Sequence, residues 1–153
     1  MARSYAVNGN ATNTQSATLP LLTLISAATI RPRIYDFVLG SDATPADNAG
    51  KYVFQRCTTA GTPGSSITPH ALDPADPAAL ASSGLAIFSV GPTLTAGAFC
   101  LQFAVNQRAT FRWVSAPGKE IVLPATASNG VALVPTVVAG SAVNVVMSLE
   151  YEE

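Results

Sequence analysis

Ionised side chains are scarce in this sequence of 153 residues. Charged residues make up 11% of it, and lysine occurs only at Lys51 and Lys119. A typical soluble domain carries about 25% charged residues. Because a small monomer keeps its exterior hydrated with such side chains, we expect this chain to cover part of its surface by self-association or with other subunits. The alternative is a monomer whose surface is rich in serine and threonine.

A strong net charge and a long apolar run are also missing. The formal net charge is −1, so bulk electrostatics gives no reason to expect a nucleic-acid partner. Residues 121–149 carry no charge, but Pro124, Pro135 and Gly140 divide them into pieces of strand length, which argues against a membrane span. Polar residues follow Arg3, so we expect no secretory signal.

Cysteine and histidine are too few for most catalytic or metal-binding schemes. We expect Cys57 and Cys100 to be reduced and to act as small buried residues. His70 is the single histidine. A thiolate pair with Cys57 would need a third group to orient the imidazole, and the proline-rich surroundings of His70 offer none.

Two glycine-lysine pairs fail the pattern of a phosphate-binding loop. Lys51 is followed by Tyr52, and Lys119 by Glu120, where such a loop needs a serine or threonine to hold magnesium. Aromatic residues are too few to line a long sugar cleft between two catalytic carboxylates. We therefore expect no enzyme activity, no catalytic residue, no cofactor and no small-molecule ligand.

Aspartates in two loops leave a calcium site as an alternative. Calcium takes about six to eight oxygen ligands, and two loops could converge to supply them. Turns and a helix cap explain the same residues equally well, so we predict no bound metal. The aspartates concerned are Asp42, Asp47, Asp73 and Asp76.

The two-residue period of apolar side chains predicts an all-β protein, an antiparallel β-sandwich or jelly roll of about seven to nine strands. Strands are predicted at residues 19–30, 32–39, 51–58, 85–90 and 142–151. The last has the clearest alternation, with apolar residues at Val143, Val145, Met147, Leu149 and Tyr151. At most one short helix is expected, near residues 74–82, because Asp73-Pro74 and Asp76-Pro77 resemble helix starts.

Residues 97–126 read as three consecutive strands joined by two short turns. The first is expected to place Phe99, Leu101, Phe103 and Val105 on one face, with Cys100 on the other. After a turn at 106–107, Phe111 and Trp113 share a face of the second strand, opposite Thr110, Arg112 and Val114. Pro117-Gly118 predicts a type II turn before the third strand.

The strand predicted at residues 32–39 also has a definite facing pattern. Arg33, Tyr35, Phe37 and Leu39 are expected on one face, and Ile34 on the other.

The amino-terminal residues 1–16 are polar and contain few side chains that could pack. We expect an extended arm laid on a neighbouring molecule, followed by a single β-sandwich domain over residues 17–153. The alternative is that the segment forms a first edge strand of the sheet.

Four residues are candidates for an interface: Tyr5, Arg108, Arg112 and Trp113. Trp113 beside the arginines could form a stacked patch that binds a glycan or a protein partner. In the alternative, Trp113 lies in the core and the arginines pair with scarce acids such as Asp36 or Glu120.

Three segments carry a resemblance to a known class of protein: GSDATPADNAGKYVFQR, ITPHALDPADPAAL and NQRATFRWVSAPGKEIVLPATASNG. From about Leu39 to Gly130 the sequence resembles small structural proteins of tailed bacteriophages, especially head decoration or cement proteins. The motifs are turn and loop phrases, so the resemblance carries over no catalytic residue.

The resemblance implies a β-sandwich or jelly-roll protomer, commonly trimeric, that is assembled into the virion in the host cytoplasm. It implies a position on the outer capsid surface, where the homotrimer clamps neighbouring major capsid subunits. A protein that binds the assembled shell but not its separated subunits favours assembly by mass action. The alternatives are another virion component, in the tail, neck or fibre, and a glycan-binding β-sandwich module.

Overall fold

The computed structural model describes residues 2–13, 18–42, 44–138 and 142–153, and every regular element in these ranges is a β-strand. The strands are β1 (Ser4–Asn13), β2 (Leu22–Ile25), β3 (Arg33–Ser41), β4 (Ala49–Cys57), β5 (Ser65–Ile67), β6 (His70–Ala71), β7 (Ser82–Leu85), β8 (Leu94–Asn106), β9 (Phe111–Val114), β10 (Ile121–Val122), β11 (Gly130–Val138) and β12 (Val143–Glu152).

These strands form two antiparallel sheets of six strands each. The first sheet has the order β10, β3, β12, β1, β6, and β9 also pairs with β3, beside the stretch that pairs with β10. The second sheet has the order β5, β7, β2, β11, β4, β8. Apolar side chains of both sheets meet in one buried cluster, as in a sandwich. The predicted all-β architecture is therefore confirmed.

Strand β1 lies inside the first sheet. It pairs with β12 along its whole length, from Ser4 opposite Glu152 to Asn13 opposite Val143. On its other side it pairs with β6. Residues 4–13 therefore form part of the sandwich and not a separate arm, because their alternate side chains are buried in its core. Residues 14–17 lie outside the described residues. They comprise the rest of the expected arm and the first residue of the expected domain.

A bulge in β3 changes which of its residues face the core. Glu150 of β12 lies opposite Asp36 and Tyr151 opposite Ile34, so Tyr35 is the extra residue. Ile34 and Phe37 are both fully buried as a result. The expectation that they point to opposite faces was wrong, because one extra residue in a strand reverses the alternation beyond it.

The chain crosses from one sheet to the other between β8 and β9. Strand β8 is the last strand of the second sheet, whereas β9 and β10 both pair with β3 of the first. The three consecutive strands predicted in residues 97–126 are therefore present as β8, β9 and β10, but they do not pair with one another. The predicted turns are present: Ala109 N–H bonds the Asn106 carbonyl at 2.9 Å, and Gly118 has φ +77°, as a type II turn requires.

A second bulge lies within β8. Leu101 is opposite Phe54 and Phe99 is opposite Gln55, which leaves Cys100 as the extra residue. Phe99 is consequently 49% exposed, whereas Phe103 is 9% exposed and Cys100 packs against the core. The expected grouping of Phe99 with the buried residues of this strand was wrong for the same physical reason as in β3.

Aromatic rings close the side of the sandwich where the chain changes sheets. The ring of Phe103 stacks on that of Phe111 at a centroid distance of 3.9 Å with an interplanar angle of 2°. Tyr52 stacks on Phe103 at 5.4 Å, and Phe37 meets Phe54 edge-on at 4.8 Å. These contacts join β3 and β9 of one sheet to β4 and β8 of the other.

The helix expected near residues 74–82 was wrong, since these residues contain a single turn. Ala75 N–H bonds Asp73 Oδ1 at 2.9 Å, and Asp76 N–H bonds the Asp73 carbonyl at 3.0 Å. Pro77 then follows without an N–H to donate. Further along, the Glu153 carboxylate accepts the N–H groups of Leu80 and Ala81 at 2.6 and 3.1 Å, so this backbone is satisfied without a helix.

The bulge at Cys100 makes a prediction about two phenylalanines of one strand. We expect Phe103→Ala to lower the free energy of unfolding by about 3–5 kcal/mol, because it removes a buried ring. We expect Phe99→Ala, the matched control, to change it by less than about 0.5 kcal/mol. Urea unfolding followed by circular dichroism measures both values. Equal losses for the two variants would mean that β8 has no bulge at this position.

Candidate interaction surface

The outer face of the second sheet is covered by the protein's own loops. Alternate residues of β2, β4 and β11 point away from the core, yet they are buried: Ile25, Cys57, Ala132 and Val134. Two residues pack against this outer cluster: Ala60, in the loop that follows β4, and Leu94, at the end of the loop that follows β7. The middle of this face is therefore a small second core.

Hydrogen bonds hold the two covering loops together. Thr62 N–H bonds the Val90 carbonyl at 2.8 Å, and Ser89 N–H bonds the Thr62 carbonyl at 3.0 Å. The strand predicted at residues 85–90 was wrong beyond Leu85, since Ala86 has φ +69° and turns the chain out of the sheet. Phe88, in the covering loop, is fully buried.

The outer face of the first sheet is exposed. Val146 of β12 is 46% exposed and lies between Asn10 of β1 and Gly40 of β3. Around it are small side chains without charge, on β12 itself and on the one neighbouring strand to either side, β1 and β3. We call this surface the outer patch. Its side chains are Asn8, Asn10, Thr12, Val38, Asn144, Val146 and Ser148.

Charged groups border the outer patch. Glu150 and Glu152 follow Ser148 on the same face of β12, and two other bordering groups are already engaged. Asp42 accepts a hydrogen bond from Asn144 Nδ2 at 3.4 Å. Arg112, which lies opposite Val38 on β9, is bound to Asp36. The outer patch therefore offers amide and hydroxyl groups and two valines on the face of a sheet, and such a surface suits a broad macromolecular contact better than a small ligand.

Tyr5, one of the expected interface residues, lies in the core. It is 1% exposed, and its ring stacks on that of Tyr151 at 5.6 Å. Its hydroxyl donates to the Pro77 carbonyl at 3.2 Å, and burial raises the pKa of the phenol. In this fold Tyr5 is not available to a partner.

The other three expected interface residues do not form one stacked patch. Arg112 Nε lies 3.1 and 3.2 Å from the two carboxylate oxygens of Asp36, and this hydrogen bonding raises the pKa of Arg112. Trp113 is half-buried against the core on the opposite side of β9. Arg108 Nε donates to the Pro45 carbonyl at 3.4 Å. The alternative in which Arg112 pairs with Asp36 is therefore confirmed.

Glu120, the second acid suggested as an arginine partner, has a local role. Its Oε1 accepts the N–H of Gly118 at 2.9 Å, within the turn at Pro117-Gly118. This backbone hydrogen bond lowers the pKa of Glu120, together with the bond from its own N–H group. Glu120 thus stabilises the turn, and the sequence offered no signal for this use.

Within the described ranges, no group of three or more histidine, cysteine, aspartate or glutamate residues could hold a metal ion. Asp47 accepts a hydrogen bond from Asn106 Nδ2 at 2.6 Å, and Asp73 is used in the turn described above. The described residues also contain no helix that could span a bilayer.

The surface of the outer patch gave little signal in the sequence. Asn8, Asn10 and Thr12 belong to the polar segment that was predicted to be an extended arm. Only their pairing with β12 places them on a sheet. No family model, curated protein or solved structure matches the chain.

The thiol of Cys57 is expected to react slowly in the folded protein. Burial raises the pKa of Cys57 to about 11, so only about 0.1% of it is thiolate at pH 8. We expect iodoacetamide to alkylate Cys57 at least about tenfold more slowly in the folded protein than in urea, as read by mass spectrometry. Cys57→Ala, which leaves Cys100 alone, is the control. Equal rates in both states would contradict the buried position.

The same raised pKa affects stability at high pH. An unfolded thiol ionises near pH 9, below the folded value, so ionisation favours unfolding progressively as pH rises from about 9 to 11. Below pH 9 we expect no contribution from this residue.

Proposed function

We propose that this protein is a structural subunit of a tailed-bacteriophage virion, a decoration protein that binds the outer surface of the head through the outer patch. The observation that supports this most directly is the contrast between the two outer faces of the sandwich. Loops of the chain itself bury the middle of one. The other leaves open the outer patch, whose side chains carry no charge, although Glu150 and Glu152 continue the same face of β12 beyond it.

The chemistry of the outer patch is suited to permanent burial. Uncharged amides and hydroxyls cost less to remove from water than ionised groups do, and they form hydrogen bonds with a partner's polar groups. Val146 and Val38 add apolar area near the centre. A chain with 11% charged residues gains from such a contact, because less of its surface then depends on hydration.

The size of this face is compatible with a stable contact. Three strands spaced about 4.8 Å apart, and about nine residues long, give a surface of roughly 430 Å². A standard interface buries about 800 Å² on each partner. Strands β1, β12 and β3 would therefore supply about half of such an interface, and their borders would supply the remainder.

The partner in this proposal is the major capsid protein of the shell. Binding that requires neighbouring shell subunits in their assembled arrangement stabilises the assembled state by mass action. Homotrimers at three-fold positions are the arrangement that the sequence resemblance implies. The protein in this role is a cement that contributes interface area and carries out no chemistry.

Substitution within the outer patch tests this proposal. Val146→Lys would bury an unpaired charge in the contact, so we expect its occupancy on particles to fall at least about tenfold. Ala125→Lys adds the same charge at an exposed position outside the strands and serves as the control. Occupancy is measured by gel densitometry of purified particles and by electron microscopy.

The stabilising role has a separate readout. Particles that lack the protein, or carry Val146→Lys in its place, should release their genome at a lower temperature, as followed with a DNA-binding dye. Equal release temperatures for complete and depleted particles would refute the cementing role. Equal occupancy of the two lysine variants would refute the outer patch as the contact.

A further inference from the structure

The second sheet ends in a long strand with one free edge. Strand β8 contains thirteen residues and pairs with β4 on one side only. Its stretch of regular pairing covers residues 101–106, beyond the bulge at Cys100. In the described part of the chain, the backbone of residues 101–105 has partners only in β4. Every second residue of this stretch therefore directs its N–H and C=O groups outward.

This edge lacks the usual protection against pairing. Exposed edges are commonly blocked by charged side chains, by proline or by a covering segment. The stretch LQFAVN at residues 101–106 contains neither a charge nor a proline. Gln102 and Ala104 are exposed, and Phe103 anchors the strand in the core. The bulge at Cys100 marks one end of the regular stretch, which still contains six residues, 101–106.

We propose that β8 pairs with β8 of a second copy, antiparallel and around a two-fold axis, to form one continuous sheet across two molecules. The other edge strands among the described residues are too short to match it: β5, β6, β9 and β10 contain three, two, four and two residues. Within a second copy, β8 itself offers an edge of equal length and identical facing. Residues 8–13 of β1 also lack a strand partner beside β6 among the described residues, but pairing of β8 with β1 of another copy would be head-to-tail and would not close into a dimer.

The faces of the strand restrict the register. A two-fold axis perpendicular to the sheet keeps the core-facing sides of both copies together, so residues of the same facing must lie opposite each other. Either Phe103 or Ala104 can lie on the axis, since each register pairs five residues of the regular stretch; the proposed register has Phe103 there. Leu101 then lies opposite Val105 of the second copy, and Gln102 opposite Ala104. None of these pairs brings like charges together.

This inference does not depend on the proposed function, because it concerns the isolated protein. The edge contact uses the second sheet, whereas shell binding is assigned to the first. A two-fold contact predicts a dimer in solution, in contrast to the trimer that the sequence resemblance implies. Two trimers joined through β8 would form a hexamer, and this assembly is also consistent with a two-fold contact.

A charge-exchange experiment on the full chain tests the register. Gln102→Glu with Ala104→Glu places like charges opposite each other at both cross-strand pairs, and we expect self-association to weaken about tenfold or more. Gln102→Lys with Ala104→Glu places opposite charges at the same pairs, and we expect association at least as strong as in the wild type. Sedimentation velocity over a range of concentrations measures both.

Controls separate this contact from loss of fold and from shell binding. Both positions are exposed, so the variants should give the circular dichroism and thermal unfolding of the wild-type monomer. Val146→Lys should associate like the wild type. A wild-type protein that is monomeric at all concentrations, or that forms only a closed trimer, would overturn the proposal. So would equal weakening in both double variants, because the register would then be wrong.

Discussion

The stacking of Phe103 on Phe111 across the gap between the sheets is the contact on which this architecture depends. It seals the side where the chain leaves the second sheet and enters the first. Hydrogen bonds fix the same crossover: Gln107 N–H bonds the Asn48 carbonyl at 2.8 Å, and Gln107 Oε1 accepts the N–H of Ala46 at 2.9 Å. Because Gln107 is buried, these polar groups must be paired inside the protein.

The two sheets then differ in what they leave for a partner. Loops after β4 and β7 bury the middle of the outer face of the second sheet, and Phe88 in the second of these loops is itself buried. The first sheet keeps its outer face open. A sandwich needs only its inner faces for folding, so the open face and the free edge of β8 are the parts of the molecule that folding does not use. Both are poor in charge, in keeping with the composition of the chain.

None of the four interface residues predicted from the sequence lies in the outer patch. Aromatic and arginine residues are typical of interfaces, which favoured Tyr5, Arg112 and Trp113. In the folded chain Tyr5 and Trp113 pack on the core and Arg112 is bound to Asp36. The exposed sheet surface consists instead of small polar residues, whose types carry no signal before their strand pairing is known.

Local chemistry was sufficient for some features of this protein. The alternation in β12 and β9 and the turn at Pro117-Gly118 follow from the sequence, because each depends only on neighbouring residues. The bulges at Tyr35 and Cys100 and the change of sheet after β8 were decided by the tertiary structure. Each of these depends on a strand that is remote in sequence, and a turn of the same composition can join strands of one sheet or of two. The facing of a residue was therefore predictable only as far as its strand remained regular.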